Sequence, residues 1–194
     1  STLSSSSAAS DVYKRQLGTG AVSIASGAAL QFGGKADAGP LAIANAGTLR
    51  LQDTASAAGA TVTNAAGAQV RIDLTTTGMS IGSLGGAGDV VLGTKVLTTG
   101  ALGTDNTISG AITGTTGSLV KVGAGTLTLS GTANYAGETR VTGGTLKAGA
   151  TNAFSATSSA VVATGATLDL GGFSQKMAGL TNAGTVSLLG TVPG

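Results

Sequence analysis

The sequence has no cysteine, no histidine and no tryptophan, only two prolines, and few charged (9%) or aromatic (3%) residues among its 194. Each scarcity removes a class of protein. Without cysteine there is no disulfide and no thiol chemistry. Without histidine a Ser–His catalytic pair cannot form. Ten basic against eight acidic residues leave a net charge of +2, and only Lys14 and Arg15 are adjacent basics. No phosphate-binding stripe arises, so nucleic acid is not an expected partner. No apolar run approaches the ~18–20 residues that span a bilayer, so direct membrane insertion is not expected.

What the chain does have is glycine, 34 residues of it, beside 41% hydrophobic residues and abundant Ala, Thr and Ser. Disordered chains combine low hydrophobicity with high net charge, the reverse of this composition. Helices are disfavoured as well, because each interior glycine costs about 0.8–1.0 kcal/mol relative to alanine. The composition therefore calls for many short strands joined by glycine-bearing turns. The length requires no more than one domain.

The first sixteen residues stand apart. SSAASDVYKRQ (6–16) holds one of two tyrosines and the adjacent basic pair, and it resembles the translation of a transposase-based sequencing adapter. A secretory leader needs a 7–15-residue apolar stretch, and this segment has none. Residues 1–16 are thus expected to be a foreign, unstructured extension, and 17–194 the folded unit.

Within that unit one pattern recurs: small residues, often with glycine, then aliphatic–x–aliphatic. The copies are SGAALQF (26–32), NAGTLRL (45–51), AAGAQVRI (65–72), GAGDVVL (86–92), GAGTLTL (123–129), TGGTLKA (142–148), TGATLDL (164–170) and NAGTVSL (182–188). Their leading aliphatics, Leu30, Leu49, Val70, Val90, Leu127, Leu146, Leu168 and Val186, are 19, 21, 20, 37, 19, 22 and 18 residues apart. The local period of two specifies strands. The longer period near twenty specifies a solenoid, in which equivalent positions of successive coils stack. The spacing of 37 reads as two periods, with NTISGAIT (106–113) filling the gap. The eight aliphatics are then expected to form one inward column. Gln31, Arg50, Arg71, Val91, Thr128, Lys147, Asp169 and Ser187 form the outward column beside it. A β-sandwich shows turn signals every 8–12 residues, which this spacing does not. The expected fold is all-β: a right-handed, single-stranded parallel β-helix with about 20 residues per coil. Nine coils at ~4.7–4.9 Å make a rod of about 40 Å.

The stretch GSLVKVGAGTLTLSGTANYAGETRVTGGTLKAGA (117–150) resembles the passenger-associated repeat of autotransporters. The positions that carry the resemblance are Lys121, Gly123, Gly125, Thr126, Leu127, Leu129, Gly131, Tyr135, Gly137, Thr139, Val141, Gly144, Thr145 and Leu146. GATLDLGGFSQKMAGLTNAGTV (165–186) resembles a second unit and MSIGSLGGAGDVVLG (79–93) part of an earlier one, so the resemblance covers about 75–186. Glu138 and Arg140 depart from it where small residues are usual. The resemblance implies type V secretion: a passenger displayed on the cell surface or outside a Gram-negative cell, attached to the outer membrane through a C-terminal β-barrel of the same polypeptide. It implies a fragment cut at both ends, and host surface or matrix molecules as further partners. Lack of cysteine is consistent with unfolded passage through a narrow pore.

Motifs with chemistry were tested against this background. GGAGDVVL (85–92) approaches a calcium-binding nonapeptide, but Asp89 comes one position early and the unit does not repeat. GDVVLGTK (88–95) approaches a phosphate loop, but Thr94 intrudes before Lys95 and no Ser or Thr comes after it. Paired carboxylates for glycoside cleavage need about 5–9.5 Å separation. Of Asp37, Asp53, Asp73, Asp89, Asp105, Glu138 and Asp169, only Asp53 and Asp73 fall on adjacent coils, and regular strands turn them to opposite sides of the wall. Asp53 reads as a turn residue and Asp73 as a solvated one. Lys147 and Asp169 are placed to form a surface ion pair. Arg50 and Arg71 are neighbours that are either solvated or available to an anionic surface. No catalytic, cofactor-binding or metal-ligating residue is assigned and no cofactor is expected. The expected function is a non-catalytic stalk or adhesin-type segment. The alternatives are a carbohydrate-active β-helix enzyme fragment and a secreted structural solenoid without its own barrel.

Overall fold

The computed structural model describes residues 3–5, 10–13 and 20–189. These residues are all-β without helix, a parallel β-solenoid of about 8 turns with ~21 residues per turn. Three walls run along the rod, although not every coil carries a strand in each of them. The first wall runs through Ala21–Ile24, Ala42–Asn45 and the ends of Ala57–Asn64 and Met79–Gly86. It continues through Asn106–Ile108, Thr126–Leu129, Thr145–Ala148, Thr167–Asp169 and Thr185–Ser187. The second wall stacks Ala29–Gly33, Thr48–Asp53, Gln69–Thr75, Asp89–Gly93, Ile112–Gly114 and Ala133–Asn134. The third begins with the first half of Met79–Gly86 and continues through Val96–Thr99, Ser118–Lys121, Thr139–Val141, Ser159–Val162 and Gly179–Asn182.

Strand alternation sends every second side chain into the lumen. In the first wall Val22, Ile43 and Val62 stack in register, as do Leu127, Leu146, Leu168 and Val186. In the second wall the inward file is Leu30, Leu49, Val70, Val90 and Ile112. All but Val186 are at most 5% exposed. Burying such side chains is worth roughly 1.5–3 kcal/mol each, and this is the main term holding coil on coil.

These registers correct one expectation. The eight leading aliphatics do not share a column: Leu30, Leu49, Val70 and Val90 belong to the second wall, and Leu127, Leu146, Leu168 and Val186 to the first. Leu127 stacks on Asn106 rather than on Val90, whose neighbour is Ile112. The neighbouring outward file splits at the same place, Val91 pairing with Thr113 and Thr128 with Thr107. The cause is length. The 37 residues from Val90 to Leu127 fall short of two coils of ~21, so the motif moves from one corner of the coil to another.

Past Ala133–Asn134 the second wall has no strand. The segment 149–158 takes its place, with Ala153 and Phe154 turned inward. Phe154 N donates to Gln175 Oε1 at 3.1 Å and Gln175 Nε2 to Ala150 O at 2.7 Å, tying it to the last coil.

Within residues 1–16, expected to lack structure, Leu3–Ser5 pairs with Ala21–Ile24 and Ser10–Tyr13 with Ala29–Gly33. A coil edge offers unpaired N–H and C=O groups to any extended backbone. The other residues of 1–16 lie outside the described residues.

Candidate functional site

The acids are dispersed. Asp53 is exposed in a left-handed turn, φ 55, where Gly34 N donates to its Oδ2 at 2.8 Å. Asp73 is half-buried on the outer surface of the second wall, gripped by Arg71 through Nε at 3.2 Å and Nη2 at 2.6 Å. The Arg71 hydrogen bonds hold its carboxyl below the usual range. The expectation that these two acids face opposite sides of the wall is corrected. A register shift between Arg50 and Gln52 and the turn at Asp53 leave both outside the lumen. Arg50 and Arg71 are register neighbours as expected, and Arg71 is committed to Asp73. Asp89 accepts Ala111 N at 3.0 Å, and Asp105 accepts Thr126 N at 2.7 Å. Both carboxylates cap turns of the following coil.

Lys147 and Asp169 form the expected ion pair at 3.3 Å. Asp169 is more covered than an outward position implies, 6% exposed, because it also folds back to accept Gly171 N at 2.9 Å. Glu138 and Arg140, the two departures from the family pattern, pair with each other on the surface at 2.7 Å. A shallow hollow of about 200 Å³ on the outer first wall is lined by Ala21, Ser23, Ala42, Ala44, Thr61 and Thr63 among others, none of them titratable.

The concentrated polar chemistry lies inside the coil, in residues 119–158. Ser118–Lys121 alternates Leu119 in, Val120 out, Lys121 in, so the lysine enters the lumen and is 1% exposed. Its Nζ donates to Val122 O at 2.7 Å, Gly123 O at 2.9 Å and Gly143 O at 3.1 Å. Three donors meet three carbonyls, two from its own corner and one from the next coil. Burial pushes its pKa below the ordinary lysine value, with Asp105 acting weakly in the other direction. The corner is built for this approach. Gly123 has φ 70 and nests on Gly100 O, where any Cβ would collide. At Gly100 a Cβ would crowd the lysine stem at 3.2 Å. Thr99, one coil earlier in the same inward file, is buried with no partner for its hydroxyl.

Tyr135 fills the lumen where the second wall loses its strands and is 1% exposed. Its hydroxyl bonds Thr139 Oγ1 at 2.8 Å, which bonds Ser158 Oγ at 2.8 Å on the next coil. Ser155 Oγ donates to Tyr135 O at 2.6 Å. Burial raises the phenol to about 12. In the sequence Lys121 and Tyr135 stand out only as positions of the repeat, with no role of their own. The signal was available for the lysine, since its period-two position is an inward one.

A third device sits at the corner between first and second walls. Asn45 and Asn64 stack in register, both buried. Asn45 Nδ2 donates to Asn64 Oδ1 at 2.8 Å and to Gln69 O at 2.9 Å, and Asn64 Nδ2 to Asp89 O at 2.9 Å. Each amide bonds forward to the next coil.

Residues 119–148 match the family model described as the passenger-associated-transport-repeat. The matched stretch begins at Leu119, two residues before the buried lysine, and ends at Ala148, the last strand residue of the next coil. Neither the curated proteins nor the solved structures include a significant match.

Proposed function

We propose that the chain is a structural, non-catalytic stalk or adhesin-type segment of an autotransporter passenger. It would be displayed outside a Gram-negative cell and joined, in the full polypeptide, to a C-terminal outer-membrane β-barrel. The carrying observation is where the matched repeat directs its polar side chains. Lys121, Tyr135 and Thr139 point into the lumen and bond to their own or the following coil. The most distinctive positions of the repeat thus serve coil stacking, and the acids at the surface cap turns or pair with neighbouring bases. A rod of stacked coils gives such a protein length and surface for contact with host surface or matrix molecules.

The test expresses the complete reading frame in a Gram-negative host and probes intact cells with an antibody against this segment. Labelling of intact cells is the expected result, and labelling only after lysis contradicts it. In parallel, the purified segment is expected to turn over neither pectin nor chitin. Turnover that Asp53→Asn or Asp73→Asn abolishes would replace the stalk reading with an enzymatic one.

A further inference from the structure

The coil in which the repeat changes corner, residues 96–114, lies inside the rod with coils on both sides, and it is built more weakly than they are. Its strands, Val96–Thr99, Asn106–Ile108 and Ile112–Gly114, have four, three and three residues. The first wall enters this coil through one register pair, Ile108 on Gly86, and leaves it through three, from Asn106 on Leu127 to Ile108 on Leu129. In the second wall the pairing with the preceding coil shifts between Val91 and Gly93. The interval of 37 residues from Val90 to Leu127 is short for two coils, and the strands of this coil absorb the shortfall.

Its share of the lumen is thin as well. The coil buries three apolar side chains, Leu97, Ile108 and Ile112, whereas residues 79–92 bury five. Two of its file positions are polar. Thr99 is buried with an unpartnered hydroxyl, a desolvation cost that no hydrogen bond offsets. Asn106 stands next to Leu127 in a file that is aliphatic elsewhere, and its amide turns sideways. The amide donates to Thr104 O at 3.1 Å and Thr104 Oγ1 at 3.0 Å and accepts from Ser83 Oγ at 3.2 Å. These bonds tie it to the loop 101–105, every residue of which is exposed.

We propose that the coil 96–114 is a breakpoint in the rod: it opens before its neighbours, and the coils on its two sides hold and lose their structure as separate cooperative units. In a solenoid each coil touches only the coils beside it, so cooperativity passes along the rod through every interface in turn. An interface that is weak both in its strand ladder and in its lumen interrupts that transfer. The units it separates each bury a core of their own, with Phe32, Leu51 and Ile72 on one side and Leu129, Leu146 and Phe154 on the other. One side of the rod then unfolds while the other stays folded.

The test is hydrogen exchange of the 194-residue chain read by mass spectrometry, which separates local from global opening. The hydrogen-bonded amides of Val96–Thr99, Asn106–Ile108 and Ile112–Gly114 should be at least about tenfold less protected than those of 41–92 and 118–162. Ile43→Ala and Val141→Ala truncate buried side chains on opposite sides of the breakpoint. Ile43→Ala should lower protection across 41–92 at least roughly tenfold and leave 118–162 within about twofold. Val141→Ala should do the converse. A variant whose altered side unfolds outright gives the same answer, since the other side keeps its protection. Equal protection along the whole rod, or either substitution lowering protection on both sides alike, would overturn the proposal.

Discussion

Lys121 and Tyr135 are buried ionisable groups whose pKa values move apart, and stability should depend on pH accordingly. The lysine's folded pKa lies below its free value of 10.5. As pH rises toward that value the unfolded chain holds more protons, so stability should increase. The phenol's folded value of about 12 exceeds its free value of 10. Its contribution is fully present below pH 10 and is lost as pH rises toward 12. Denaturation midpoints from pH 8 to 11.5 should therefore rise and then fall. Lys121→Met should remove the rise and Tyr135→Phe the fall. A midpoint flat in both variants and parent would contradict these burials. A second comparison concerns neighbouring residues. Leu129→Asp puts an unpaired carboxylate in the lumen and should cost roughly 3 kcal/mol or more. Thr128→Asp stands outside, next in file to Lys147, and should stay within about 0.5 kcal/mol. Equal losses in chemical unfolding would mean that the strand faces the other way.

Among elements, the corners decide register. Asn45 and Asn182 open the same Asn-Ala-Gly turn, in which the side-chain Oδ1 accepts the glycine N–H at 3.2 Å and 3.1 Å respectively. They differ in their Nδ2 partners. Asn45 reaches a coil beyond it, as does Asn64, whereas among the described residues Asn182 bonds within its own turn, Nδ2 to Gly184 O at 3.4 Å. Asn64→Ala takes away the buried partner of one of the two Asn45 amide protons, leaving the bond to Gln69 O, and also the donor to the part-buried Asp89 carbonyl, and should cost about 1–3 kcal/mol. Asn182→Ala, at an exposed position, should cost about 0.5 kcal/mol or less. Thermal unfolding of the two variants measures the contrast. Strand positions and inward alternation were legible in the sequence, because a period of two is local and leaves its mark within a few residues. Which wall a strand joins was not legible. Both corners use the same glycine-then-aliphatic pattern, so Val90 and Leu127 look alike although they stand on different walls. Only the short interval between them betrays the change. The interior network around Tyr135 was hidden for a different reason: Ser155 and Ser158 meet Tyr135 and Thr139 across a coil, about twenty residues away in sequence.

At the scale of the molecule, one wall runs unbroken from Ala21–Ile24 to Thr185–Ser187, through the place where the repeat changes corner. Its outward file passes Ser23, Ala44, Thr63 and Gly85, then Thr107, Thr128, Lys147, Asp169 and Ser187. The absence of cysteine makes this file measurable, since two introduced thiols carry spin labels nowhere else. Labels at position 23 paired with 107, 128 or 187 should lie about 19, 24 and 38 Å apart, growing by ~4.8 Å per coil. Distances from pulsed electron spin resonance that fall on this line would establish the continuous wall. A 23–128 distance off the line, with 23–107 on it, would place Leu127 above Val90 after all and contradict the account.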